Sequence, residues 1–242
     1  MKSPVVLAVE TSTNVGSAAL VKGSKVLCQR FFEPTRGHGG ILLKEVHALF
    51  QEAGLSAQDV DLFAAGSGPG SFTGVRVGLS TLQAMAWAAG RPVTAIASLW
   101  VLAHNLVTTT GYIAPVLDAR RQEVYGALYR SNGQNLEEVL APDVASPEEW
   151  AEALCEAANG SEIAYVGSGV LAYPDVFPTT HKDHRMHAGK LGQLASEILS
   201  KEGVESLPSA TPRYVRPSQA EIKFGQAPVH NPVDNLDPKA TL

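Results

Sequence analysis

Gly68-Pro69-Gly70-Ser71-Phe72-Thr73-Gly74-Val75-Arg76-Val77-Gly78 stands between an apolar run, Val60 to Ala65, and a helix-like run, Leu79 to Ala89. Glycine and proline at this density interrupt regular structure, so the segment predicts a strand, a tight turn and a glycine-rich helix entry. Such an entry has two uses. Free N–H groups at the helix start can hold an anion, or a helix face without side chains can pack closely on something. Choosing between them decides what the chain does.

The 242 residues suit one large domain or two small ones, with 45% hydrophobic and 18% charged residues as in an ordinary globular protein. Nineteen basic against 24 acidic residues give a net charge of −5. That argues against a protein that grips nucleic acid by its overall field, although RNA could still be reached through a partner. Cys28 and Cys155 are too few and too far apart for a disulfide framework or a zinc site, and they fit a reducing compartment. Met1-Lys2-Ser3-Pro4 runs straight into a strand-like segment with no signal peptide. No apolar stretch reaches the roughly 18–20 residues that span a bilayer. The expectation is a cytoplasmic protein that does not enter membranes.

Along the chain, Val5–Glu10, Ser17–Val21 and Lys25–Phe32 read as three strands, the last two joined at Gly23. A helix from Gly39 or Gly40 to Ala53 follows, closed by Gly54. Leu62–Ala65 is a strand entering the glycine run, whose helix ends at Gly90 before Pro92. Strand Val93–Ala97 and helix Leu99–Val107 complete the first cycle. A second cycle begins with strands Ile113–Leu117, Val124–Tyr129 and Leu136–Leu140. A helix then opens at Ser146-Pro147-Glu148-Glu149 as a capping box. Strand Ile163–Val166 and helix Gly189–Lys201 follow. The order of elements predicts a duplicated mixed α/β unit, with residues 1–108 and 109–224 as its halves, the last helical part of the second half free to pack back on the first, and 225–242 as a disordered tail.

Val9-Glu10-Thr11-Ser12, His38, the Gly68–Gly78 run, Asp118-Ala119-Arg120 with Glu123-Val124-Tyr125, and Arg213-Tyr214-Val215-Arg216 occur in that order. Together they resemble the bacterial TsaB (YeaZ) family over about residues 4 to 224. The resemblance implies a duplicated actin-like (RNase H-like) fold, two mixed sheets with flanking helices. It also implies a role in making threonylcarbamoyladenosine beside the anticodon of tRNAs that read codons beginning with A. In that family the subunit resembles TsaD, which transfers the threonylcarbamoyl group. It is not itself the catalyst: it binds and activates TsaD, and the ATPase TsaE joins the pair. The roles of Glu10, Thr11, His38, Gly70, Ser71, Arg76, Asp118, Arg120 and Glu123 are not assigned by the resemblance.

The residues argue against chemistry of the chain's own. His38 is followed four positions later by Leu42, so a helical histidine pair for a metal is missing. His181, His184 and His187 sit in a sequence without apolar periodicity, which predicts a solvated loop. Of the three turns that hold nucleotide in actin-like phosphotransferases, Glu10-Thr11-Ser12-Thr13 and Asp118-Ala119-Arg120-Arg121 contain no glycine to wrap a phosphate. Gly167-Ser168-Gly169 alone retains the form of an adenosine-side turn. A protease is disfavoured because Gly70-Ser71-Phe72-Thr73 fails the last position of a nucleophile elbow, and Ser71 reads better as a helix N-cap. The glycine run itself lacks the Lys-Ser/Thr pair of a P-loop and the spacing of a dinucleotide fingerprint.

Gly74, Gly78, Thr81 and Met85 fall on one helix face. Each glycine costs roughly 1 kcal/mol of helix stability relative to alanine, which suggests close approach by another helix. Leu42, Val46, Leu49 and Phe50 of the preceding helix would extend the same surface. Both faces can also be ordinary core of one chain, and the resemblance favours a partner interface. The main expectation is therefore a non-catalytic subunit with no cofactor of its own. It would pair with a TsaD-like subunit, reach tRNA through the complex with a TsaE-like ATPase, and form a homodimer when alone. Nucleotide at the joint with TsaD stays open. The alternative is a free-standing actin-like ATPase or kinase, and a metallopeptidase is the third reading.

Overall fold

Every residue of Val5–Glu10 (β1) is buried, so this strand has both faces covered, as at the centre of a layered α/β sheet. The computed structural model describes residues 3–33, 38–178 and 181–216, and the expected tail at 225–242 lies outside them. β1 pairs antiparallel with Gly16–Lys22 (β2), which pairs with Lys25–Phe32 (β3). On its other side β1 pairs parallel with Leu62–Gly66 (β4), which pairs parallel with Val93–Ile96 (β5). The order is β3-β2-β1-β4-β5.

The helices His38–Ala53 (α1) and Phe72–Ala89 (α2) cover one face of this sheet. Leu42, Val46 and Leu49 of α1 and Val75, Leu79 and Leu82 of α2 meet Leu7, Val9 and Leu20 there. Local signals set the ends of α2 as expected. Ser71 Oγ accepts the Gly74 N–H, and Gly90 closes the helix in the left-handed region at φ 64°.

The second sheet repeats the wiring with Gly111–Arg120 (β6), Glu123–Ser131 (β7) and Leu136–Ala145 (β8) antiparallel, and Ile163–Val166 (β9) parallel to β6. Its order is β8-β7-β6-β9. Pro147–Ala157 (α4) and Ser168–Ala172 (α5) pack on one face through Trp150, Leu154 and Val170. The capping box expected at Ser146 and Glu149 is present. Ser98–Ala103 (α3) packs Leu99 and Leu102 on the other face while Val101 joins the first sheet.

This is the duplicated actin-like fold, with one departure from a full repeat. Among the described residues nothing in the second half matches β5; the chain instead enters Ala188–Glu202 (α6), which returns to the first sheet. Leu191 and Ala195 pack on Val6, Ala8, Ala19 and Val21. Ser17 Oγ accepts the Ala188 N–H at 2.9 Å and donates to Met186 O at 2.7 Å, while Gln29 Oε1 accepts the Gly189 N–H. The start of α6 is thus capped by strands some 170 residues earlier in the chain. No helix among the described residues is long and apolar enough to cross a membrane.

Candidate functional site

The glycine run wraps around the turn that follows β1. Ser71 N–H donates to Ser12 O at 2.7 Å, and Thr11 Oγ1 donates to Gly74 O at 2.8 Å. A Cβ at Gly74 would stand 2.0 Å from Thr11 O, and one at Gly78 2.4 Å from Thr11 Oγ1. The close approach expected from the two glycines is real, but the approaching group is this chain's own Thr11 and not a partner helix.

The same correction applies to most of the expected interface. Leu42, Val46, Leu49, Gly74 and Gly78 are buried within the chain, and Phe50, Thr81 and Met85 are half-buried. The patterning identified the inner faces of α1 and α2. Their outer faces carry Leu43, 56% exposed, and the exposed stripe Ser80, Ala84, Trp87 and Ala88, with Trp87 at 87%. An amphipathic pattern marks which positions are apolar, and an exposed Trp amid alanines does not stand out in it.

Glu10 lies at the end of β1, where the actin-like fold would place a phosphate-side carboxylate. It is fully buried; Oε1 accepts the Ser12 N–H at 2.7 Å and Oε2 accepts the Ser98 hydroxyl at 2.8 Å. Burial raises its pKa, opposed by these hydrogen bonds. Ser98 Oγ in turn accepts the Gly68 N–H. With both oxygens engaged and the adjoining loop closed onto Ser71, these residues do not fit a metal–nucleotide cradle. Glu10 instead ties β1, the glycine run and α3 together.

Between the sheets lies a cleft of about 770 Å³, bounded by the 12–15 loop, the end of β6 at Leu117–Arg120, Ser168 and residues 182–185. Its carboxylates are already committed. Asp118 Oδ1 accepts the Arg120 N–H and Oδ2 pairs with the Arg120 guanidinium at 3.6 Å. Asp183 accepts a two-pronged contact from Arg185 at 2.9 and 2.7 Å, which holds its carboxyl well below the usual range. His184, expected in a solvated loop, is buried with Nδ1 accepting the Gly167 N–H, and His187 packs edge-on to Phe31. His181, His184 and His187 form no metal-ligand cluster among the described residues. His38 opens α1, and its side chain lies outside the described set.

A second cleft of about 740 Å³ adjoins the first at Gly70, Ser71, Ala119, Arg120 and Tyr125. Arg76, Arg120, Arg121, Arg213 and Arg216 line it, and among the described residues no carboxylate does. Glu123 pairs with Arg216 at its edge. Arg120, Arg121 and Gln122 are all left-handed, with φ near 60°, which turns the β6–β7 tip sharply. Sequence reasoning missed this arginine cluster as a site. Its members come from three distant segments, and the net negative charge conceals them.

These features define a duplicated actin-like protein whose carboxylate at the end of β1 is part of the interior. The family model described as "TsaD: tRNA N6-adenosine threonylcarbamoyltransferase" matches residues 26–224. The tRNA threonylcarbamoyladenosine biosynthesis protein TsaB of Bacillus subtilis is 29% identical over 90% of this chain and 97% of its own length. The protein of the same name from Escherichia coli is 32% identical over 71% of this chain and 74% of its own. The solved structure of YeaZ from Pseudomonas aeruginosa superposes with a TM-score of 0.72 at 29% identity, covering 87% of this chain and 99% of that one. The chain belongs to the TsaB (YeaZ) family of tRNA threonylcarbamoyladenosine biosynthesis, within the wider family that the TsaD model describes.

Proposed function

We propose that this chain is a non-catalytic subunit required for threonylcarbamoyl transfer to the adenosine beside the anticodon of tRNAs reading codons that begin with A. It acts by binding and activating a TsaD-like subunit, with a TsaE-like ATPase joining the pair, and its place of work is the cytoplasm. The observation that carries the reading is the outer face of α1 and α2. There Leu43 and Trp87 stand 56% and 87% exposed on helices whose inner faces already fill the core. Exposed large apolar groups beside small residues mark a docking surface. In the isolated chain a second copy can take the same face, giving a homodimer. The commitment of both Glu10 oxygens inside the chain supports a subunit without phosphotransfer chemistry of its own.

The test is co-purification of the TsaD-like subunit with variants Leu43→Glu and Trp87→Glu, each folded as judged by its thermal transition. Both are expected to lose pairing, and with it the modification of tRNA by the reconstituted set. Normal pairing by both would reject this face as the interface. Modification by the chain alone would reject the non-catalytic role.

A further inference from the structure

We infer that the arginine-lined cleft between the start of α2, the β6–β7 tip and residues 213–216 binds a single-stranded stretch of RNA, holding phosphates on its guanidinium groups and bases on its exposed aromatic rings. The inference rests on the proposed role for the choice of RNA among polyanions.

Charge is the first reason. Five arginines converge on one cleft with no lining carboxylate among the described residues, in a chain whose net charge is −5. Arg120 and Arg216 have partners in Asp118 and Glu123. Arg121 and Arg213 are exposed and have no carboxylate partner among the described residues. Burial, and after it the nearby Arg121 guanidinium, lowers the pKa of Arg216. Such a cluster is relieved by an anion, and guanidinium groups suit phosphate because they donate in parallel pairs.

The aromatic rings select the kind of anion. Phe72 and Tyr214, 38% and 44% exposed, stack on each other with centroids 4.9 Å apart. The Arg76 guanidinium lies 3.9 Å above Phe72, and its Nε donates to the Tyr214 hydroxyl at 2.8 Å. The result is a partly exposed platform of two rings and a guanidinium plane. Unpaired bases stack on such surfaces, and base pairs in a duplex cannot reach them. The cationic groups are also spread over three segments of a cleft of about 740 Å³.

The experiment uses the purified full chain and a fluorescent single-stranded RNA oligonucleotide, with anisotropy read at several salt concentrations. Arg121→Glu with Arg213→Glu is expected to weaken binding about tenfold or more, since each guanidinium–phosphate contact is lost and repulsion replaces it. Replacing both by Gln should reduce the slope of log affinity against log salt by about 1.4, two single-strand contacts. Tyr214→Ala should weaken single-stranded RNA and leave the weak duplex binding unchanged. The control Lys22→Glu with Lys25→Glu makes the same change in net charge on the β2–β3 turn. That turn lies at the opposite end of the first sheet, because Lys22 pairs with Val5 while Ser17 pairs with Glu10. It should leave affinity within about twofold, as expected for charges outside the site.

No saturable RNA binding by the wild type, or equal losses in the control, overturns the inference. So does RNA competed away by ATP at the same concentration, which would assign the cleft to a mononucleotide. If the arginine variants keep RNA affinity and lose the TsaD-like subunit, the cleft is a protein interface. Conversely, loss of RNA binding with pairing intact supports the inference, and loss of pairing in the Leu43 and Trp87 variants is read separately.

Discussion

Glu10 and Ser98, 88 residues apart in the sequence, share a 2.8 Å hydrogen bond in the interior. The bond joins the end of β1 to the start of α3, and so fixes the element that lies between the two sheets. Through Ser98 the same network reaches the Gly68 N–H. A buried carboxyl therefore links the end of β1, the glycine run and α3.

Glu10→Gln should remove a pH dependence of stability. Burial raises the Glu10 pKa above its ordinary 4.5. Between 4.5 and the raised value the folded chain holds a proton that the unfolded chain has released, so stability falls as pH rises through this window. Urea unfolding of both proteins should show the wild type losing stability relative to the variant as pH climbs from 4.5. A difference constant with pH would contradict the buried, charge-averse setting. Glu10→Ala goes further, because it strands the Ser12 N–H and Ser98 O–H, at about 1–3 kcal/mol for each buried group left unpaired.

Thr11 and the two helix glycines should show strong coupling. Gly78→Ala places a methyl 2.4 Å from Thr11 Oγ1, and overpacking of this kind costs about 1–3 kcal/mol. Thr11→Ala removes that oxygen. The double variant should then recover much of the loss, since alanine is also the better helix former by up to about 1 kcal/mol. Gly74→Ala meets the Thr11 backbone oxygen at 2.0 Å, so Thr11→Ala should not rescue it. Denaturant midpoints for the four-variant cycle check this; additive effects at Gly78 and Thr11 would refute the contact.

These contacts explain which parts of the molecule were legible. Strand and helix order follows from local periodicity and caps, and Ser71, Gly90 and the Ser146–Glu149 box act where the sequence puts them. The glycines at 74 and 78 signalled close approach correctly, but a sequence does not say who approaches. The partner, Thr11, is 63 residues away from Gly74. The same limit hid the capping of α6 by Ser17 and the burial of His184, both made by long-range hydrogen bonds. It also hid the arginine cleft. Arg76, Arg120 and Arg213 look like scattered surface residues until two turns and a returning segment bring them together.

His104 should set a second pH dependence, with the opposite sign to that of Glu10. Its ring lies against Trp100, centroids 4.7 Å apart, and Nδ1 is 2.8 Å from Trp100 O, to which the neutral ring donates. Burial lowers its pKa from 6.5 and nearby Lys190 adds to this, while the Trp100 carbonyl and Glu197 act against it. The unfolded chain then takes up a proton at higher pH than the folded one. The stabilising effect is fully present above 6.5 and is lost as pH falls through the depressed folded value. Each pH unit of displacement corresponds to about 1.4 kcal/mol. His104→Gln keeps an N–H donor without the titration, so its stability should fall less than the wild type's on acidification from 6.5. The His104 ring protons followed by NMR should titrate below 6.5. A midpoint at or above that value would mean that the Glu197 and carbonyl contributions outweigh burial, and the acid-side loss would then be absent.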